Sequence, residues 1–173
     1  MICEQVKDCI EDKVKKCRRE DDCICHTDNR ASVVCREKGK RYHLINDTGM
    51  KIRKYTLDGG IVRDEQGVTA CDNLLVAYGE DTRRLIFAEL KGHEFTKAVE
   101  QVKNDIQRFT LPDKKSRVYA RIVHTQGAPR IRNVESVRRL EELVRGRGGN
   151  FKMHERTLEE RLSDIDEKDE RKI

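Results

Sequence analysis

Three segments of the chain repeat apolar side chains at the spacing of a helix that buries one face. The first covers residues 2–17 and the second covers residues 94–109. The third begins at Asn133, a residue type that can cap a helix, and ends at Arg145, just before Gly146. The pattern therefore predicts a helix at the N terminus, one in the middle of the chain and one in its last third.

Shorter apolar or alternating runs, separated by turn residues, predict strands elsewhere. They cover residues 32–36, 40–46, 51–57, 72–78, 85–90, 118–124 and 151–154. Residues 37–39 would close the first two into a hairpin, and residues 79–82 tightly connect the two most apolar runs. Residues 20–30 are polar and charged, which favours a loop. The order of helix, antiparallel strands, helix, strand and helix predicts a mixed α/β fold, with a central mixed β-sheet flanked by helices.

The last part of the chain has a different composition. From residue 155 onward it is highly charged, and its apolar positions at helical spacing are Leu158, Leu162 and Ile165. Such a segment favours an isolated helix or disorder, because it offers little apolar surface to bury. We therefore predict one domain over residues 1–154, beginning with a Cys-rich helix and a hairpin, followed by a charged tail over residues 155–173.

The composition limits the size of the core. The chain has 173 residues, of which 40% are charged and 36% hydrophobic, and it contains no Trp. This is enough for one domain with a small core. No apolar run approaches the length that spans a membrane, and the first residues do not resemble a signal peptide. We therefore expect a cytoplasmic protein without a membrane partner.

The formal net charge of +5 is unevenly distributed. Residues 114–147 contain ten Lys or Arg residues and only three Glu residues. A basic segment of this density is typical of an anionic partner, DNA in the first place, although it can also be an ordinary solvated surface. The candidates for contacts with backbone phosphates are the cations predicted to lie in loops, namely Lys114, Lys115, Arg130 and Arg132.

Seven Cys residues are present, and six of them precede residue 36. Cys23, Cys25, His26 and Cys35 could form a zinc site, although their spacing matches none of the strong zinc patterns. The alternative is that the cysteines are small apolar residues of a helix and of strands, as in other reduced intracellular chains.

Candidate chemistry centres on Asp72 and on Glu89-Leu90-Lys91. Alternation along a strand places Glu89 and Lys91 on one face, and antiparallel pairing brings Asp72 close to Glu89. Two adjacent carboxylates repel each other, and a divalent cation would relieve that repulsion. Mg²⁺ or Mn²⁺ bound by the two acids could activate water for attack on a phosphate, with Lys91 stabilising the developing negative charge.

Asp72, followed by Glu89-x-Lys91 on a strand and by a helix bearing Gln101, resembles the PD-(D/E)xK nuclease superfamily. Restriction endonucleases and archaeal Holliday-junction resolvases belong to it. The resemblance implies a restriction endonuclease-like core and a DNA endonuclease that depends on Mg²⁺ or Mn²⁺. It also implies that Asp72, Glu89 and the Leu90 carbonyl bind metal, and that Lys91 and Gln101 assist catalysis. Cleavage of both strands would usually need two active sites, and hence a homodimer.

The resemblance covers about half of the chain and includes departures from the family pattern. Cys71 stands where the motif name has Pro, and Asp105 stands where exonuclease-like members have Tyr. Asp58 could add a further acid to the site. The family often recruits an acid from its first helix, for which the candidates are Glu4, Glu11 and Glu20.

Other interpretations of the same residues stay open. Asp72, Glu89 and Lys91 could be a structural ion-pair cluster. The fold could also serve as a catalytically inactive DNA-binding or assembly module. A zinc-stabilised adaptor, built around the Cys-rich N-terminal third, is a further alternative.

Overall fold

The computed structural model describes residues 4–14, 24–63, 66–91, 94–125 and 135–167, with the backbone alone for residues 24–27. The described elements form three layers. A six-stranded sheet lies in the middle, helices cover one of its faces, and a three-stranded sheet covers the other. Both sheets are mixed, so the prediction of a mixed α/β fold with helices flanking a mixed sheet is confirmed.

The central sheet has the strand order β1-β4-β5-β6-β7-β8. The pairs β1–β4, β4–β5 and β5–β6 are antiparallel, whereas the pairs β6–β7 and β7–β8 are parallel. The strands of this sheet are β1 (Ile24–Asp28), β4 (Lys51–Thr56), β5 (Asn73–Tyr78), β6 (Arg83–Lys91), β7 (Ser116–His124) and β8 (Phe151–Glu155). All seven predicted strands lie within two residues of their observed bounds.

The two most apolar strands, β5 and β6, occupy the centre of this sheet and are buried on both faces. Leu85 and Phe87 contribute to the core under the helices, and Ile86 and Ala88 contribute to the core under the second sheet. A strand covered on both sides needs apolar residues in consecutive positions, which accounts for the run in the sequence.

Helices α1 (Val6–Ile10), α2 (Phe95–Phe109) and α3 (Glu135–Gly146) cover one face of the central sheet. The apolar stripe of α2 is buried as predicted, and the extended backbone of Thr110 ends this helix. The predicted N-terminal helix over 2–17 is too long within the described residues, because α1 ends at Ile10 and Asp12 has a left-handed backbone, with φ of 61°. The predicted cap Asn133 lies outside the described residues.

The second sheet consists of β2 (Ser32–Glu37), β3 (Lys40–Ile45) and β9 (Thr157–Arg161). The hairpin of β2 and β3 was predicted, but β9 was not. The prediction of a helical or disordered tail is wrong for this segment, which pairs parallel to β3. Leu158, Leu162 and Ile165 are buried in the core between the two sheets, and that burial explains why they are apolar.

The predicted loop over 20–30 is also wrong in part, because β1 forms the edge of the central sheet within it. This strand pairs antiparallel with β4. None of the helices in the described part of the chain is long and apolar enough to cross a bilayer.

Candidate active site

Asp72 and Glu89 meet where β5 begins and β6 nears its end. The antiparallel register pairs Asn73 with Ala88, which places the preceding Asp72 opposite Glu89. The Asp72 N–H donates to Glu89 Oε2 over 3.0 Å, and the Leu90 N–H donates to Asp72 Oδ2 over 2.7 Å. Each carboxylate therefore accepts a hydrogen bond from the strand that carries the other, which fixes the pair to the sheet.

Lys91 borders this pair on the same face of β6. Its Nζ lies 3.8 Å from Glu89 Oε1. The Lys91 side chain is 26% exposed, whereas that of Glu89 is 2% exposed. The site is thus closed around Glu89 and opens towards solvent at Lys91, as a site that admits a substrate phosphate would require.

The environment favours the protonated forms of both acids. Burial, together with the neighbouring Asp72 carboxylate, raises the pKa of Glu89 to about 8, against the lowering effect of Lys91. Burial raises the pKa of Asp72 to about 6, against the lowering effect of the Leu90 N–H. One buried and one half-buried carboxyl group beside one partly exposed lysine are short of positive charge, which is the condition that a bound cation relieves.

A third carboxyl group, that of Glu37, lies against Asp72. Its charge and its hydrogen bond to the Asp72 carboxyl add to the effect of burial in raising the pKa of Asp72. Glu37 is the last residue of β2, so it reaches the site from the second sheet. The sequence does not indicate Glu37 as a site residue, because only the packing of the hairpin on the central sheet brings it close to Asp72.

The acids of the first helix do not take this role in the structure as far as it is described. Glu11 forms an ion pair with Lys13, with Oε2 and Nζ 2.8 Å apart. Glu4 is exposed, and Glu20 lies outside the described residues. The additional acid next to Asp72 therefore comes from a strand of the second sheet.

Gln101 and Asp105, one turn apart on α2, hold the segment that leads into Asp72. Gln101 Nε2 donates to the Ala70 carbonyl over 2.9 Å. Asp105 Oδ2 accepts the Cys71 N–H over 2.6 Å, and its Oδ1 lies 3.1 Å from Arg108 Nη1. The amide of Gln101, predicted to assist catalysis, thus binds the backbone two residues before Asp72.

Asp58, considered as a further acid of the site, is exposed and acts on Asp105. Burial raises the pKa of Asp105 to about 6, and the charge of Asp58 contributes to that rise. Asp58 is therefore placed beside the residue that supports the site.

The predicted phosphate-binding lysines lie at the other end of the central sheet. Lys114 and Lys115 are exposed and precede β7, and the Lys115 carbonyl accepts the N–H of Arg83 at the start of β6. Arg83 is eight residues from Lys91 along β6, a distance of about 26 Å at the rise of a strand. The structure does not bring these lysines to the carboxylates, and Arg130 and Arg132 lie outside the described residues.

The donor set suits a hard divalent cation, which prefers carboxylate oxygens. In the described arrangement, however, Asp72 Oδ2 and Glu89 Oε2 accept backbone N–H groups, and Glu89 Oε1 faces Lys91 Nζ. Among the residues that the structure describes, no group of three or more Cys, His, Asp or Glu side chains is spaced as a ready ligand set. A cation held by Asp72, Glu89 and Glu37 together would therefore require at least one of these side chains to move.

Three of the four predicted zinc ligands have side chains outside the described part of the structure. Cys23 lies outside the described residues, and the side chains of Cys25 and His26 are not described. Cys35 is fully buried in the core between the two sheets.

Comparison with known protein families, with curated proteins and with solved structures finds no match to this chain.

Proposed function

We propose that this protein is a metal-dependent endonuclease that hydrolyses phosphodiester bonds of DNA. One observation carries the proposal. The buried Glu89 and the half-buried Asp72 interlock at the end of two neighbouring antiparallel strands, and the partly exposed Lys91 borders them. Strongly perturbed acids beside a lysine at an opening to solvent are typical of a catalytic centre.

In this proposal Asp72 and Glu89, with the Leu90 carbonyl, hold Mg²⁺ or Mn²⁺. Such an ion, when bound, polarises a phosphate and lowers the pKa of a water molecule. Glu37, against Asp72, is a further oxygen donor that can reach the same place. Lys91 Nζ, which is 3.8 Å from Glu89 Oε1, would stabilise the negative charge that grows on the phosphate oxygens.

The order of elements around the site supports a restriction endonuclease-like core. In chain order, helix α1 precedes the antiparallel strands β4, β5 and β6, and these strands are followed by α2 and by β7, which runs parallel to β6. This is the arrangement that the resemblance to PD-(D/E)xK nucleases implies. β1 to β3 precede this unit after α1, and α3, β8 and β9 follow it.

A catalytically inactive DNA-binding module is the second candidate. The backbone N–H groups that bind Asp72 and Glu89 favour it, because they satisfy two of the oxygens that a metal ion would need. In that case the two acids serve to join β5 to β6.

Cleavage assays test the proposal directly. The protein would be incubated with supercoiled, linear and single-stranded DNA in Mg²⁺, Mn²⁺ or EDTA. We expect EDTA to abolish cleavage and Lys91→Ala to lower its rate on the order of 100-fold, because the variant loses the cation nearest to the reacting phosphate. Lys97→Ala removes an exposed lysine of α2 and should cleave at the wild-type rate.

The possible results separate the two candidates. Cleavage that persists in EDTA and in Lys91→Ala would exclude the proposed mechanism. DNA binding by the folded protein with no cleavage in either metal would favour the inactive module.

A further inference from the structure

The hairpin of β2 and β3 ends in a tight turn that projects from the second sheet. Glu37 pairs with Lys40, and the two residues between them, Lys38 and Gly39, have φ of 44° and 78°. Positive φ at both central residues is the geometry of the two-residue turns that close β-hairpins. The tip of the hairpin is therefore a defined structure, with the Lys38 side chain held outward and 83% exposed.

This tip lies at the same end of the molecule as the carboxylates. Glu37 lies close enough to Asp72 for its carboxyl group to raise the pKa of Asp72. On the other side, Lys91 pairs with His124 in the parallel ladder of β6 and β7. The His124 carbonyl accepts the Arg156 N–H over 2.8 Å, and the Arg156 carbonyl accepts the Arg41 N–H over 2.9 Å. Two backbone hydrogen bonds, through Arg156, thus connect the turn end of the hairpin to β7, the strand beside Lys91.

Residues 36–41 and Thr157 line a groove of about 450 Å³ at this place, which we call the basic groove. Four of its residues are cations, Arg36, Lys38, Lys40 and Arg41, and its one acid is Glu37. The charges of two of them are only weakly compensated. Lys38 Nζ is 3.4 Å from Glu37 Oε1, and Arg41 Nη2 is 3.6 Å from Glu159 Oε2, with both pairs in contact with solvent.

The buried Lys40 adds to the positive electrostatic potential of the groove. Only 4% of this residue is exposed, and its Nζ donates to the Lys38 carbonyl at the long distance of 3.5 Å. A buried ammonium group with one weak hydrogen bond adds positive potential that solvent screens poorly. The groove therefore combines exposed cations with a buried one, and Glu37, which lines it, lies beside Asp72.

We propose that the basic groove binds the sugar-phosphate backbone of duplex DNA and directs it to Asp72 and Glu89. The position of the scissile phosphate rests on the proposed nuclease function, whereas binding in the groove does not. Arg and Lys side chains along a groove are the usual partners of backbone phosphates, and they give affinity without base specificity. This assigns DNA binding to the hairpin, in place of Lys114 and Lys115 at the far end of the sheet.

Binding of duplex DNA would be measured in EDTA, so that cleavage does not interfere, at several salt concentrations. The test variant is Lys38→Gln/Arg41→Gln. The matched control is Lys114→Gln/Lys115→Gln, which removes the same charge at the other end of the sheet. The slope of log affinity against log salt should become smaller by about 1.8 in the test variant, because each lost phosphate contact accounts for about 0.9. The control should keep the wild-type slope.

Each outcome supports or overturns the inference. A wild-type slope in the hairpin variant, an equal change in both variants, or no DNA binding by the wild-type protein would overturn it. Cleavage of DNA in Mg²⁺ or Mn²⁺ by a hairpin variant with unchanged binding would leave the nuclease function standing without the groove. A reduced slope in the hairpin variant alone, with no cleavage by the wild type, would establish the groove and remove the nuclease function. Circular dichroism would confirm that both variants are folded.

Discussion

At the scale of single residues, the acids of the site make the stability of the metal-free protein depend on pH. The pKa of Glu89 is raised to about 8 and that of Asp72 to about 6, burial being the first cause of each shift. A carboxyl group with a raised pKa binds its proton more tightly in the folded than in the unfolded chain, where its pKa is about 4. Its contribution is therefore complete below about pH 4 and is lost as the pH rises through the folded value. We expect the midpoint temperature of thermal unfolding, measured in EDTA, to decrease as the pH is raised from about 5 to about 8.

The variant Glu89→Gln identifies the residue responsible for this dependence. It removes the titrating group but keeps a side chain of similar shape, so the fall of the midpoint with pH should be smaller. Glu94→Gln is the matched control, because the Glu94 side chain is 66% exposed and its loss should leave the pH dependence unchanged. An equal fall in Glu89→Gln and in the wild type would contradict the assignment to Glu89.

The sequence predicts part of this residue cluster, for a physical reason. Glu89 and Lys91 share a strand face by simple alternation, and a short turn makes β5 and β6 antiparallel neighbours, so Asp72 must lie opposite Glu89. Glu37 follows from no such local rule. Its place against Asp72 depends on how the second sheet packs over the first, and residues 35 positions apart carry no periodic signal of that contact.

At the scale of elements, α2 determines where the chain enters the site. Asp105 accepts the Cys71 N–H and pairs with Arg108, so Asp105→Ala leaves a buried donor unsatisfied beside Asp72. We expect the variant to lose about 1–3 kcal/mol of unfolding free energy in urea denaturation, the usual cost of such a group. DNA cleavage should also decrease, because the segment before Asp72 loses its attachment to the helix.

Two further variants separate this attachment from a general effect on α2. Asp105→Asn keeps an oxygen that can accept the Cys71 N–H, so it should retain more stability and more activity than Asp105→Ala. Asn104→Ala alters the neighbouring exposed residue and should change neither. If Asp105→Asn were as unstable as Asp105→Ala, the charge pair with Arg108 would be the contribution that matters.

Strand β9 was not predicted because its sequence does not show the apolar alternation of a strand. Leu158, Leu162 and Ile165 repeat at helical spacing, yet the side chains buried in the strand are Leu158 and Glu160. A charged residue on the inner face conceals the alternation of a strand. Glu160 can be buried only because its partners on β3, β7 and β8 compensate its charge, and those partners are distant in sequence.

At the scale of the whole molecule, this buried glutamate holds the two sheets together. Glu160 Oε1 accepts hydrogen bonds from the Tyr42 hydroxyl over 2.8 Å and from Arg121 Nε over 2.5 Å. Its Oε2 lies 3.0 Å from Lys152 Nζ. Tyr42 belongs to the second sheet, and Arg121 and Lys152 belong to the central sheet. The second sheet in turn carries Glu37 and the basic groove, so the position of both depends on this contact between the layers.

Loss of the Glu160 charge should destabilise the contact between the two sheets. Glu160→Gln leaves Arg121, which is fully buried, without its counter-charge, and we expect it to cost about 3–5 kcal/mol of unfolding free energy. Glu159→Gln is the matched control, because the neighbouring Glu159 side chain is 50% exposed on the opposite face of β9. Chemical denaturation would compare the two variants. Equal stabilities would mean that apolar packing alone joins the sheets. A large loss confined to Glu160→Gln would mean that the segment after residue 155, despite its charged composition, is a necessary part of the fold that presents the site.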